Sequence, residues 1–148
     1  MELLHTMRCG GEAGQTDHGQ KPFVVNIPCA ARQNPHFRTA LWTGCHLQMT
    51  LVSIPVCGEV GVEMHTDTEQ VIRVEEGQAL VCVGSCREKL DDHCRLCPGD
   101  AFFVPCGTWH NVVNIGRCPL KLSSFYGPPR HPKGTIHHTK ADAEAGES

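Results

Sequence analysis

The chain has 148 residues, 40% of them hydrophobic, and a formal net charge of −3, which suits one globular domain with its own core. Neither a block of like charges nor a long apolar run occurs, so the sequence predicts no nucleic-acid partner and no membrane span. The first residues lack the basic start and apolar run of a secretory signal, and we therefore expect a cytoplasmic protein.

The N-terminal quarter of the sequence shows few signals of regular structure. Residues 1–20 show no hydrophobic periodicity, which is typical of a flexible tail. The β-branched run PFVVNIP at 22–28 predicts a strand, and residues 29–38 are the best candidate for a helix or loop. We place one folded domain at 21–136 and a C-terminal tail at 137–148.

Strand and turn signals dominate the chain from residue 40 onward. In the segment QVIRVEEG, Ile72 and Val74 fall on one face and Arg73 and Glu75 on the other, so the apolar pair is expected to face the core. Turn residues recur about every eight to twelve positions. This spacing predicts an all-β sandwich or barrel, because a parallel sheet would need helices between its strands.

Ten cysteines are present. Without an export signal we expect them to be reduced, with no structural disulfide. Four of them have the pair spacing of a zinc site at a predicted hairpin tip, which leaves a thiolate site open as an alternative: Cys82, Cys86, Cys94 and Cys97. Cys82 also fits an inward strand position.

Three polar side chains converge on the predicted interior. Glu63 and His65 are two positions apart, so they point to the same face of an extended segment. Gln70 shares the parity of the inward-facing Ile72 and Val74. Polar groups inside an apolar core are costly unless they are hydrogen-bonded or bind a cation, so this trio predicts a metal site.

A second segment, GDAFFVPCGTWHNVVN, supplies a further nitrogen ligand. Pro105 and Gly107 end one strand, and His110 opens the next strand with Val112 on the same face. Two imidazoles, a carboxylate and an amide oxygen suit one divalent ion: Mn, Fe, Co, Ni or Zn. The predicted ligands are therefore Glu63, His65, Gln70 and His110.

The second segment resembles the second motif of the cupins, an RmlC-like superfamily, at every fixed position: Gly99, Pro105, Gly107, His110 and Asn114. The resemblance implies a double-stranded antiparallel β-helix, or jelly-roll barrel, that carries one metal ion.

The first cupin motif is matched with substitutions. Glu63 stands where the motif has its first histidine, and Gln70 stands where it has glutamate, so the ligand chemistry is kept while the charge changes place. His65 and the closing Gly77 match, and Cys57 replaces the opening glycine. From about Phe37 onward the chain also resembles small bacterial cupins labelled mannose-6-phosphate isomerase-like.

The resemblance leaves the reaction open. An isomerase-type reaction on a small polar, sugar-like or carbonyl molecule is our first hypothesis, with a metal-dependent dioxygenase and a non-catalytic binding or sensing protein as alternatives. The dioxygenase alternative has a pattern of its own, because His65, Asp67 and His110 also match the facial triad of iron oxygenases.

Other polar residues are candidates for the wall of a ligand pocket. Gln48 and Thr50 share one face of an otherwise apolar strand, while Arg38 and Tyr126 could close a mouth of the barrel. The resemblance also implies a homodimer, in which the strand at 22–28 would cover an exposed sheet edge.

Overall fold

Two antiparallel sheets enclose the main core of this chain in a computed structural model, which describes residues 4–7 and 17–146. The elements in chain order are β1 His5–Met7, β2 Phe23–Val25, α1 Ile27–Gln33, β3 Arg38–Thr43, β4 Gln48–Ile54, β5 Glu69–Glu76, β6 Ala79–Gly84, β7 Asp92–Leu96, β8 Ala101–Val104, β9 Trp109–Asn114, β10 Leu120–Gly127, β11 Ile136–His137 and α2 Lys140–Ala145. The predicted all-β jelly-roll class is confirmed.

The larger sheet has six strands in the order β11-β3-β4-β10-β5-β8, and the smaller sheet has three in the order β7-β6-β9. The two sheets are not hydrogen-bonded to each other into a closed barrel. Except for β3 and β4, neighbouring strands of the larger sheet are far apart in the sequence, so side chains from distant segments meet on its inner face.

The predicted inward face of β5 is buried. Ile72 is 4% exposed and Val74 is 0% exposed, and they pack with Leu122 of β10 in one hydrophobic cluster. Val81 of β6 and Val112 of β9 close this cluster from the smaller sheet. Removal of these apolar surfaces from water is the main force that holds the sheets together.

The outer face of the larger sheet is also covered. Helix α1 and strands β1 and β2 pack over it, around Leu41 and Leu51. Glu75 lies on this face, and its buried carboxylate accepts a 2.6 Å hydrogen bond from Ser123 Oγ and lies 3.7 Å from the guanidinium of Arg73. Glu75 therefore lies on the face opposite the inner core, as the alternation predicted. Its side chain is nevertheless buried there.

The N-terminal region is more ordered than the tail predicted for 1–20. His5–Met7 forms β1, which pairs in parallel with β2, and the buried Asp17 accepts hydrogen bonds from Thr43 Oγ1 at 2.6 Å and Gly134 N at 2.9 Å. Residues 1–3 and 8–16 of the predicted tail lie outside the described residues. The strand expected at a dimer edge, β2, is paired with β1 of the same chain. Its role at such an edge and the homodimer itself remain predictions.

Both described helices are short and capped. Asn26 begins α1 by accepting a hydrogen bond from Cys29 N, and Thr139 and Asp142 form a capping box at α2. Helix α1 falls partly within the predicted helix-or-loop segment, and α2 lies within the predicted C-terminal tail. In the described part of the chain, neither helix has the length and apolar character needed to cross a membrane.

The expectation of no structural disulfide is wrong, because Cys29 is disulfide-bonded. The other eight described cysteines are free thiols. The suggested zinc cluster does not form either: Cys94 pairs with Val81 rather than with Cys82, and Cys82 is buried while Cys94 is exposed. Strand pairing places Cys82 and Cys94 on different faces, and among the described residues no cysteine belongs to a group close enough to hold a metal ion.

Cys57 stands at the opening glycine position of the first cupin motif and adopts a left-handed backbone conformation, with φ of 67°. Among the described residues it is the one non-glycine residue with positive φ. A side chain with a Cβ is disfavoured in this region by about 1–2 kcal/mol. The turn therefore keeps the conformation that glycine favours, although the glycine is absent.

Replacing Cys57 with glycine is expected to raise the free energy of unfolding by about 1 kcal/mol, because the left-handed conformation then costs nothing sterically. Denaturant unfolding of the reduced protein would measure the change. Cys106→Gly is the matched control, since Cys106 is also an exposed turn cysteine but has no positive φ. An equal effect of both substitutions would show that φ at Cys57 is not the cause.

Candidate metal centre

A two-residue bridge brings the carboxylate and one imidazole of the site together. Glu63 N donates to His110 O at 2.9 Å, and His110 N donates to Glu63 O at 2.9 Å. Residues paired in this way present their side chains on the same face. The bridge thus links the two motif segments directly at their ligand positions.

His65 is held on the same face by the turn before β9. Its carbonyl oxygen accepts a 2.7 Å hydrogen bond from Gly107 N, and its ring centroid lies 5.8 Å from that of His110. One ligand atom each from Glu63, His65 and His110 lies within 4.8 Å of the others. In the described part of the chain, this is the one group of three or more such residues close enough to hold a metal ion.

Gln70 lines the same cavity as Glu63 and His110. Its Nε2 donates a 2.7 Å hydrogen bond to Ser124 Oγ, which leaves Oε1 buried and without a hydrogen-bond partner. An unsatisfied buried oxygen carries a desolvation cost of about 1–3 kcal/mol, which a cation would offset. Gln70 is therefore suited to be a neutral oxygen ligand.

The two imidazoles differ in how their outer nitrogens are held. His110 Nδ1 lies 2.9 Å from Thr108 O, which favours a proton on Nδ1 and leaves the buried Nε2 as a lone-pair donor. His65 Nδ1 instead accepts a 3.1 Å hydrogen bond from Arg130 Nε. Its neutral ring then carries the proton on Nε2, which lies 3.4 Å from Glu63 Oε2.

Glu63 stays ionised despite its burial. Burial alone would raise the pKa of Glu63, but the hydrogen bond from His65 and the charge of Arg38 outweigh it and hold the pKa below its usual value. For His110, burial is the main cause of a lowered pKa, so its imidazole is neutral at neutral pH. The site thus offers a carboxylate and neutral nitrogen, the protonation states that metal ligation needs.

The cavity at the centre measures about 20 Å³, enough for one or two water-sized occupants. Five of its eleven lining residues are apolar, and the other six are polar: Arg38, Glu63, Gln70, His110, Ser124 and Tyr126. Burial raises the pKa of Tyr126, so its phenol is neutral and able to donate a hydrogen bond.

Asp67 does not join the group. Its side chain is exposed, and it is not among the residues whose ligand atoms lie together. The facial-triad hypothesis built on His65, Asp67 and His110 is therefore not supported by the geometry.

Of the four residues predicted to line a ligand pocket, two are in the cavity lining and two are not. Arg38 and Tyr126 do line the cavity. Thr50 is buried beside Tyr126. Gln48, which is 0% exposed, instead binds the backbone of the segment that follows β10. Gln48 Oε1 accepts hydrogen bonds from Arg130 N at 3.0 Å and His131 N at 2.9 Å, and its Nε2 donates to His131 O at 2.7 Å.

Two residues beside the site, Arg130 and His131, were not predicted from the sequence as site residues. Gln48 tethers the segment after β10 so that Arg130 reaches His65, and the His131 ring packs 5.3 Å from the Tyr126 ring. Burial, with the charges of Arg38 and Arg130, lowers the pKa of His131 to about 3. The segment carries no motif, and the sequence gives no sign that it folds back to a strand 83 positions away.

The last motif residue, Asn114, has a structural role. Its Nδ2 donates to the carbonyl oxygens of Ile54, Pro55 and Cys118 at 3.0–3.1 Å, and its Oδ1 accepts from Gly116 N at 2.9 Å. This side chain ties the turn after β4 to the turn after β9, which supports the strand that carries His110.

Comparison with known proteins agrees with this architecture. The family model described as the Cupin domain matches residues 50–126. The chain belongs to the cupin family. It is 50% identical over 131 residues to YrkC of Bacillus subtilis strain 168, covering 88% of this cupin and 70% of YrkC. It is 35% identical to L612 of Acanthamoeba polyphaga mimivirus, covering 77% and 70% of the two chains.

Solved structures show the same fold. The crystal structure of BH2720 from Bacillus halodurans has a TM-score of 0.86 and 52% identity, covering 88% of this cupin and 98% of that chain. KdgF from Halomonas sp. has a TM-score of 0.55 and 24% identity, covering 63% and 80% of the two chains. The second likeness concerns the fold alone.

Replacing Gln48 with alanine is expected to lower the free energy of unfolding by about 2–4 kcal/mol, because it leaves buried backbone groups at positions 130 and 131 unpaired. Denaturant unfolding followed by fluorescence would measure the loss. Gln33→Ala, at an exposed position, is expected to change stability by less than about 0.5 kcal/mol. A similarly small effect at Gln48 would contradict the assigned role as a tether.

Proposed function

We propose that this cupin holds one divalent metal ion through Glu63, His65, Gln70 and His110 and uses it to act on a small polar molecule. The observation that carries the proposal is a pair of buried atoms without a hydrogen-bond partner, His110 Nε2 and Gln70 Oε1, at a cavity that Glu63 also lines. These atoms lie beside a carboxylate whose ligand oxygen is within 4.8 Å of the histidine nitrogens. Such a set is costly to bury without an occupant.

The donor set fits the proposed ion. One carboxylate, two imidazoles and an amide oxygen match the ligand preferences of Mn, Fe, Co, Ni or Zn, and no thiolate lies among the closely grouped residues. A bound ion of this kind would polarise a carbonyl or hydroxyl oxygen of a substrate. The protein keeps the Glu63 ligand ionised and the His110 ligand neutral. It also limits water to a cavity of about 20 Å³.

An isomerase-type reaction is the use of the site that we favour. Isomerisation requires a group that exchanges a proton with the substrate. Beside the cavity, the Tyr126 phenol is neutral, and the lowered pKa of His131, about 3, keeps its buried imidazole unprotonated at neutral pH. We assign the exchange to the Tyr126 phenol, which lines the cavity; the His131 ring packs against it at 5.3 Å and is too weak a base at neutral pH to accept the proton itself.

Substitutions of the individual ligands are expected to change metal affinity by different amounts. His65→Ala or His110→Ala removes a nitrogen ligand and is expected to weaken binding more than about 100-fold, while Gln70→Ala costs about tenfold. Gln70→Glu adds a charge and is expected to tighten binding. Elemental analysis of protein purified without added metal, followed by calorimetric titration with cobalt, would measure both retention and affinity.

Two variants serve as controls for these measurements. Asp67→Ala changes a nearby exposed carboxylate, and His93→Ala changes an exposed histidine, and both are expected to bind metal like the parent. Loss of metal from Asp67→Ala together with retention by Glu63→Ala would overturn the ligand assignment in favour of the facial triad.

Arg130 is expected to oppose metal loading. Its hydrogen bond to His65 Nδ1 favours the tautomer that carries a proton on Nε2, the nitrogen that must face the ion. Arg130→Met removes this hydrogen bond of about 1 kcal/mol and is expected to raise cobalt affinity about fivefold. Calorimetric titration beside Arg117→Met, which alters an exposed arginine, would measure it, and weaker binding by Arg130→Met would contradict the argument.

A further inference from the structure

The cavity contains two charged side chains of opposite sign. Arg38 and Glu63 are the charged members of its lining, and the remaining polar members are neutral groups such as Tyr126 and Gln70. The lining is therefore close to electroneutral before any ion enters. This balance matters because an uncompensated charge in a low-dielectric interior is expensive.

Arg38 is held in a way that leaves bonding capacity free. Its side chain is 3% exposed, one terminal nitrogen lies 3.9 Å from Glu63 Oε1, and the other lies 3.1 Å from His137 Nδ1. Its Nε is buried without a hydrogen-bond partner. A planar guanidinium that lines a cavity and has a free N–H has the donors that recognise carboxylates.

Entry of a divalent ion changes the charge of this cavity. The ion contributes two positive charges, Arg38 one more, and Glu63 a single negative charge, so the loaded lining carries a net charge of about +2. We propose that the loaded site takes a small carboxylate, whose charge is held between the metal ion and the buried guanidinium of Arg38. This inference rests on the proposed metal-binding function and adds the class of ligand to it.

Two further observations favour a carboxylate. The charges of Arg38 and Arg130 contribute, after burial, to the lowered pKa of His131, so the region beside the cavity is already electropositive. The neutral phenol of Tyr126 offers an additional hydrogen-bond donor at the same wall.

Acetate and acetamide make a matched pair of probes, because they have the same shape and differ in charge. Cobalt retention by the parent and each variant is measured first, and the visible absorption of the cobalt-loaded protein is then followed during titration with each probe. Acetate is expected to shift the cobalt bands and acetamide to leave them unchanged. Arg38→Gln is expected to weaken acetate binding about ten- to 100-fold, since it removes a charge-assisted hydrogen bond.

Arg38→Lys keeps the charge without the planar fork and is expected to bind acetate more tightly than Arg38→Gln. Arg117→Gln, at an exposed position outside the cavity lining, is expected to bind acetate like the parent. If Arg38→Gln does not fold, the comparison of Arg38→Lys with the parent and of acetate with acetamide still decides the question. Equal responses to both probes, or unchanged acetate affinity in the Arg38 variants, would overturn the inference.

The metal measurement separates the two proposals. A parent protein that does not retain cobalt contradicts the proposed function itself. A parent protein that retains cobalt but shows no charge-dependent response to acetate leaves that function standing and rules out the carboxylate site.

Discussion

The paired backbone hydrogen bonds between Glu63 and His110 are the constraint on which the site depends. They join two segments 47 positions apart, and they place a carboxylate and an imidazole side by side over an apolar core. Asn114, further along β9, holds the adjoining turns in place. Without this pairing, the ligand groups would be separate polar residues, each with its own cost of burial.

Local periodicity was sufficient to predict the inner face of the fold. The parity of Gln70, Ile72 and Val74 along β5 correctly placed all three in the interior. The spacing of the second motif likewise predicted His110 at the start of β9, where it is the second residue, after Trp109. These features follow from alternation in strands and from turn residues, which are properties of a few neighbouring positions.

Features that depend on distant contacts were not predictable in this way. Glu75 follows the alternation but is buried, because helix α1 and its neighbouring strands cover that face of the sheet. Arg130 reaches His65 only because Gln48 fixes the chain between them. The compartment argument likewise failed at Cys29, since it concerns the solvent environment and not the distance between thiols.

The tether by Gln48 also bears on how the protein is made. Gln48 and His131 are 83 positions apart, so the ribosome has synthesised most of the chain before the two can meet. Until then, the nascent chain has the motif histidines but lacks the segment that packs against them. Contacts of such long sequence separation form slowly, so the site is completed late, together with the pairing of β10 with β4 and of β11 with β3.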